Sequence, residues 1–83
     1  MKYLARVEVR LRHGIADPEG ATIARALPAM GFDSVTAVEA GRSFRVELDA
    51  TDLTAAQSIA ASLADRLLAN PVIEESVIEV SPL

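Results

Sequence analysis

Residues Tyr3 to Leu11 alternate without a break. Tyr3, Ala5, Val7, Val9 and Leu11 fall on one side, and Leu4, Arg6, Glu8, Arg10 and the following Arg12 on the other. A period of two with β-branched residues on the apolar side is the pattern of a half-buried strand. Such a strand constrains the rest of the chain: its apolar side needs a cover, and its charged side must meet water or another protein.

The cover is read from the two segments that carry a helical period. His13 to Asp17 make a turn, Asp17 is a good N-cap, and Pro18 suits the first helical position. Ile23, Leu27 and Met30 then form one apolar stripe, and Gly31 is placed to end the helix in a left-handed conformation. Pro28 has no N–H to offer the carbonyl of Ala24 and crowds it, which predicts a kink or a tightened last turn.

A second strand is predicted over Ser34 to Ala40 and a third over Ser43 to Asp49, where Phe44, Val46 and Leu48 alternate with Arg45, Glu47 and Asp49. Gly41-Arg42 between them reads as the two-residue turn of a β-hairpin. Thr51 or Asp52 caps a second helix that reaches about Leu68. Its expected core stripe is Ile59, Leu63 and Leu67, with Ala56, Ala60 and Ala64 alongside. Asn70-Pro71 stops it, because proline disfavours helix in the residue before it. A last strand is expected over about Val77 to Val80.

The order is strand, helix, strand, strand, helix, strand. With right-handed crossovers it predicts an α+β fold of the ferredoxin-like βαββαβ kind: a four-stranded antiparallel sheet with both helices on one face. One domain over residues 1–83 accounts for the whole sequence. A domain of this size buries only about 60–65% of its unfolded surface, so its own core leaves a thin margin. The usual staples are missing. There is no cysteine, which excludes disulfides, and the one histidine, His13, cannot build a Cys/His zinc site. Association with further chains is the remaining route to stability. The open sheet face, with Leu4, Arg6, Glu8, Arg10, Arg45 and Glu47, interleaves charges of both signs in a way that suits a copy of itself or a partner surface.

Composition narrows the function. An apolar fraction of 51% argues against disorder, and a net charge of −4 argues against nucleic acid as a partner. The start of the chain turns charged within six residues, and no apolar run approaches the length of a membrane span. A soluble protein of a reducing cytoplasm is expected, with no membrane partner.

Catalytic chemistry is hard to place. Without cysteine there is no thiol nucleophile, and His13 has no serine motif beside it. Gly14, Gly20, Gly31 and Gly41 form no phosphate-binding cluster. Glu74 and Glu75 are adjacent on an extended segment, so they point apart, and with Glu79 they read as a solvated acidic edge. Tyr3 and Phe44 sit on the core-facing side of the alternation, where packing explains them better than base stacking.

Two boundary segments carry a resemblance: Gly14-Ile15-Ala16-Asp17-Pro18-Glu19-Gly20 and Leu67-Leu68-Ala69-Asn70-Pro71-Val72-Ile73-Glu74. With Gly31-Phe32, Val35 to Val38 and Gly41-Arg42-Ser43-Phe44 in the same order, the chain resembles the PurS family over nearly its whole length. These are small subunits of phosphoribosylformylglycinamidine synthase. The resemblance implies a non-catalytic subunit of purine biosynthesis that forms dimers or tetramers. It also implies assembly with an ATP-dependent synthetase subunit and a glutaminase subunit. The complex converts formylglycinamide ribonucleotide to formylglycinamidine ribonucleotide with ammonia from glutamine, and the small subunit helps carry that ammonia. No cofactor is implied for this chain; ATP and Mg belong to the synthetase.

Carried over residue by residue, Asp17, Pro18 and Gly20 shape the entrance of the first helix, Gly41 and Phe44 with Arg42 shape the hairpin, and Pro71 with Asn70 and Glu74 the final turn. Arg42, Asn70 and Glu74 are the candidates for partner contact, as polar loop residues. The same topology also serves ACT-type domains, which bind small molecules for regulation, and acylphosphatase-like enzymes. The latter want a phosphate-cradling loop with an arginine after the first strand, where this chain supplies an acid, Asp17. Topology alone does not separate these three.

Overall fold

A computed structural model describes residues 1–83. In chain order it comprises β1 (Lys2–Leu11), α1 (Pro18–Ala26), a 3-10 turn (Pro28–Met30), β2 (Gly41–Asp49), α2 (Leu53–Leu63), a π-helical turn that continues α2 (Ala64–Leu68), and β3 (Glu74–Pro82). The alternating first strand is the centre of the sheet, whose order is β2-β1-β3, all antiparallel. Val7 lies opposite Phe44 on one side and Ile78 on the other, so the apolar sides of all three strands face the same way. The reverse face carries Arg6, Glu8, Arg10, Arg45 and Glu47, as the alternation predicts, with Leu4 as its buried apolar exception.

The fourth strand does not form, so the four-stranded ferredoxin-like sheet is corrected to three strands. Gly41 and Arg42 are not a hairpin turn; they are the first two residues of β2 and pair with Arg10 and Val9. Glycine is what allows this, since a Cβ at Gly41 would stand 2.7 Å from the Val9 carbonyl oxygen. With no reversal at Gly41, residues 34–40 run beyond the end of the sheet instead of back along it, without regular structure. Nor do both helices cover one face. α1 packs on the 3-10 turn that follows it and hardly touches the sheet.

α2 supplies the only helical cover, and it presents the alanine stripe expected alongside the core stripe, with the predicted stripe itself turned largely outward. Ala56, Ala60 and Ala64 are buried, while Ile59 is 47% and Leu67 75% exposed. Small side chains at i, i+4 and i+8 let the helix settle closely on Val7 and Val9, and that approach turns the larger residues of the next stripe outward. α2 lies over β1 and β3 and only brushes β2, where Phe44, Val46 and Leu48 stay half-buried. Other local readings hold. Asp52 caps α2 through the Ala55 N–H at 2.8 Å. Pro28 tightens the helix end into the 3-10 turn, and Gly31 closes it at φ 89°. The last strand is longer than expected, Glu74–Pro82.

The result is elongated, 51 × 27 × 13 Å, with a radius of gyration of 16.2 Å where about 12 Å is usual for this length. Its accessible surface of 6024 Å² exceeds by roughly 1,200 Å² what a folded monomer of this mass exposes. No helix is long and apolar enough to cross a membrane.

Candidate functional site

Between β1 and β2 the chain makes a long excursion, residues 12–40, and a carboxylate ties its two ends together. Asp17 accepts the Gly20 N–H at 3.0 Å as the α1 cap, and its second oxygen accepts the Ala40 N–H at 2.9 Å, one residue before β2 begins. The two backbone donors, Ala40 foremost, hold the Asp17 carboxyl below its usual range against the opposing effect of partial burial. Gly20 belongs to the same joint. A Cβ there would run into the Asp17 carboxylate and the Val38 carbonyl.

The three residues expected to contact partners lie together. Arg42 Nη2 donates to both oxygens of Glu74 at 3.0 and 3.1 Å and to the Leu68 carbonyl at 3.1 Å, one of the acceptors a helix end leaves free. Glu74 also accepts the Asn70 N–H at 2.7 Å, and Asn70 Oδ1 accepts the Val72 N–H at 3.1 Å. Three segments, the start of β2, the end of α2 and the start of β3, therefore meet on one ion pair. Glu74 is held below its usual range, first by the Asn70 N–H and then by Arg42, with desolvation working the other way. Its side chain is only 15% exposed, which corrects the reading of Glu74 as part of a solvated acidic edge. Glu75 points to the opposite face as expected and pairs with Arg10. Phe44 lies under the Arg42 guanidinium, 5.6 Å from its ring centre, and packs on the helix side of the sheet. Pro18 opens α1, and Pro71 offers its carbonyl to Arg12 Nε at 3.1 Å.

What sequence reasoning missed is the surface these joints support. On the excursion Ile15, Ile23, Met30, Phe32 and Val35 are all exposed, Met30 to 67%. The apolar spacing of Ile23 and Met30 was legible, but nothing local says that the stripe would find no sheet in its own chain. Where the excursion leaves the sheet there is an open cleft of about 470 Å³, floored by Ala21, Ala24 and Ala37 and rimmed by Arg12, His13 and Glu39. No three His, Cys, Asp or Glu side chains converge as a metal site requires.

A small α+β chain with so much apolar surface left open and its polar interactions given to joints between segments has the build of a subunit of a larger complex. Comparison with known proteins makes this particular. Residues 4–82 match the family PurS, described as phosphoribosylformylglycinamidine (FGAM) synthase. The PurS subunit of Archaeoglobus fulgidus is 38% identical over 72 residues, 87% of this chain and 90% of that one. The crystal structure of Methanocaldococcus jannaschii PurS superposes with a TM-score of 0.86 at 32% identity, over 98% of each chain. It is described as one of the subunits of formylglycinamide ribonucleotide amidotransferase in the purine biosynthetic pathway. A structure of PurLQS from Thermotoga maritima contains a chain that matches with a TM-score of 0.85 and 31% identity, over 100% of this chain and 99% of that one. The chain belongs to the PurS family of phosphoribosylformylglycinamidine synthase subunits. The ACT-type reading is thereby disfavoured.

Proposed function

We propose that this chain is the non-catalytic assembly subunit that couples glutaminase to ATP-dependent synthetase in the cytoplasm, and that it works as a dimer or tetramer. The observation that carries this is the half-covered sheet. α2 leaves Phe44, Val46 and Leu48 partly open over β2, while the apolar stripe of α1 stands off with nothing of its own to cover. Each deficit is the complement of the other. In a dimer the excursion of one copy lies over the β2 side of its partner, and its residues 34–40 extend the free edge of β2 as the missing fourth strand. The surplus surface of roughly 1,200 Å² exceeds the ~800 Å² per partner of an ordinary stable interface.

In this reading the synthetase holds ATP and Mg, this chain binds no cofactor of its own, and ammonia from glutamine reaches the synthetase through the assembled complex. Arg42, Asn70 and Glu74 serve partner contact by fixing the end of the sheet at which β2, α2 and β3 meet. The test is amidine formation by the matching synthetase and glutaminase, with glutamine or free ammonium as donor, with and without this chain. Dependence on the chain for glutamine but not for ammonium is the expected result. Equal turnover without it for both donors would remove the coupling role.

A further inference from the structure

We infer that the excursion is aimed before it meets its partner, by two carboxylate clamps set on either side of Gly41. This rests on the exchanged dimer proposed above and says how the two copies find their register. Residues 12–40 gain almost no direction from packing, because α1 hardly touches its own sheet and the angle between them opens onto the 470 Å³ cleft. A segment held only by its two covalent ends would swing. Here its exit is fixed instead by hydrogen bonds at residues 40 and 42. Ala40 N–H is held by Asp17, which is itself locked to α1 through Gly20. Arg42, two residues on, is held by Glu74 and by the Leu68 carbonyl. Gly41 between them lies where β2 runs so close to β1 that a Cβ would meet the Val9 carbonyl oxygen at 2.7 Å. Gly20 leaves no spare room at the first clamp, since even a Cβ would collide with both Asp17 and Val38.

The function of such a joint is pre-organisation. A segment already pointing along its bound direction loses less freedom on association than a swinging one. Asp17 and Glu74 are thus positioning residues for assembly.

The absence of native cysteine allows a clean test. Spin labels at Asp33→Cys and Glu79→Cys, in a chain diluted into unlabelled protein, read the distance from the excursion to the sheet within one chain. Asp17→Asn keeps a helix cap but turns an amide N–H toward the Ala40 N–H, and Glu74→Gln does the same toward Arg42. Lys2→Ala, which removes an exposed ion pair far from the joint, is the control. The parent and the control are expected to give one narrow distance distribution. Each clamp variant should at least double its width and speed subunit exchange about tenfold, the scale of one charged hydrogen bond. A broad distribution in the parent, or parent-like width and exchange in both variants, would overturn the inference. Circular dichroism identifies a variant that has lost its sheet, in which case the other carries the test. Sedimentation of the parent as single chains at micromolar concentration would instead remove the dimer. The label distance would then still report whether the single chain holds its aim.

Discussion

The molecule has two halves built on opposite terms. In the first, β1, β3 and α2 make a small complete core from Tyr3, Ala5, Val7 and Val9 closed by Ala56, Ala60 and Ala64. In the second, residues 12–40 contain comparable apolar material in Ile23, Met30, Phe32 and Val35, yet of α1 only Gly20 is buried. The difference is not hydrophobicity but address. The first half closes a core within the chain, although Ile59 and Leu67 stay outside it, whereas in the second α1 buries none of its apolar stripe and the polar interactions hold the shape. A small domain with a thin core can carry so much unspent apolar surface only if association completes it.

Substitutions separate the halves. Val7→Asp puts an unpaired charge at the centre of the core and should cost several kcal/mol, enough to abolish the fold as read by circular dichroism. A folded Val7→Asp chain would mean that the first half is not the stabilising one. Phe32→Ser should leave the secondary structure signal intact and weaken association by about 2 kcal/mol, roughly thirtyfold. Sedimentation at graded concentration measures it, and an unchanged mass distribution would break the distinction between the halves.

Acid should act on the joints. Asp17 and Glu74 have folded pKa values depressed from their ordinary ones, so the stability they contribute is present above the ordinary carboxylate range. It is lost as pH falls through that range to the lowered folded values. An acid titration of thermal stability should therefore be shallower in Asp17→Asn and Glu74→Gln than in the parent. The smallest effect is expected at the Lys2–Asp49 pair, whose side chains are both largely exposed. Lys2→Ala should stay within about 0.5 kcal/mol of the parent in both melting and association.

Much of this was legible in the residues because it is local. The alternation of β1, the Asp17-Pro18 and Asp52 caps, the tightened end at Pro28 and the left-handed Gly31 all follow from chemistry within a few residues. Two readings failed for a shared reason, that the decisive contact is distant in sequence. Gly41 carries the mark of a turn, but its task is to let β2 lie close against Val9. Ile59 and Leu67 carry the mark of a core stripe, yet the alanine face wins because a close helix–sheet approach buries more of both elements than a bulky face held farther off. The candidate site was half legible. Arg42, Asn70 and Glu74 stand out in the sequence as polar loop residues, and only the fold shows that Arg42 and the Asn70 N–H meet on the Glu74 carboxylate. The bond from Ala40 to Asp17 joins residues 23 apart and leaves no pattern in the sequence.

One consequence of an excursion that stands off its own sheet is genetic. In an exchanged dimer every complete module takes its sheet from one chain and its excursion from the other. Two inactive alleles, one damaged at Phe32 and the other on the receiving surface around Val46, would therefore meet in a mixed dimer as one doubly damaged module and one wholly sound one. Expressed together, they should restore a share of the growth that neither supports alone.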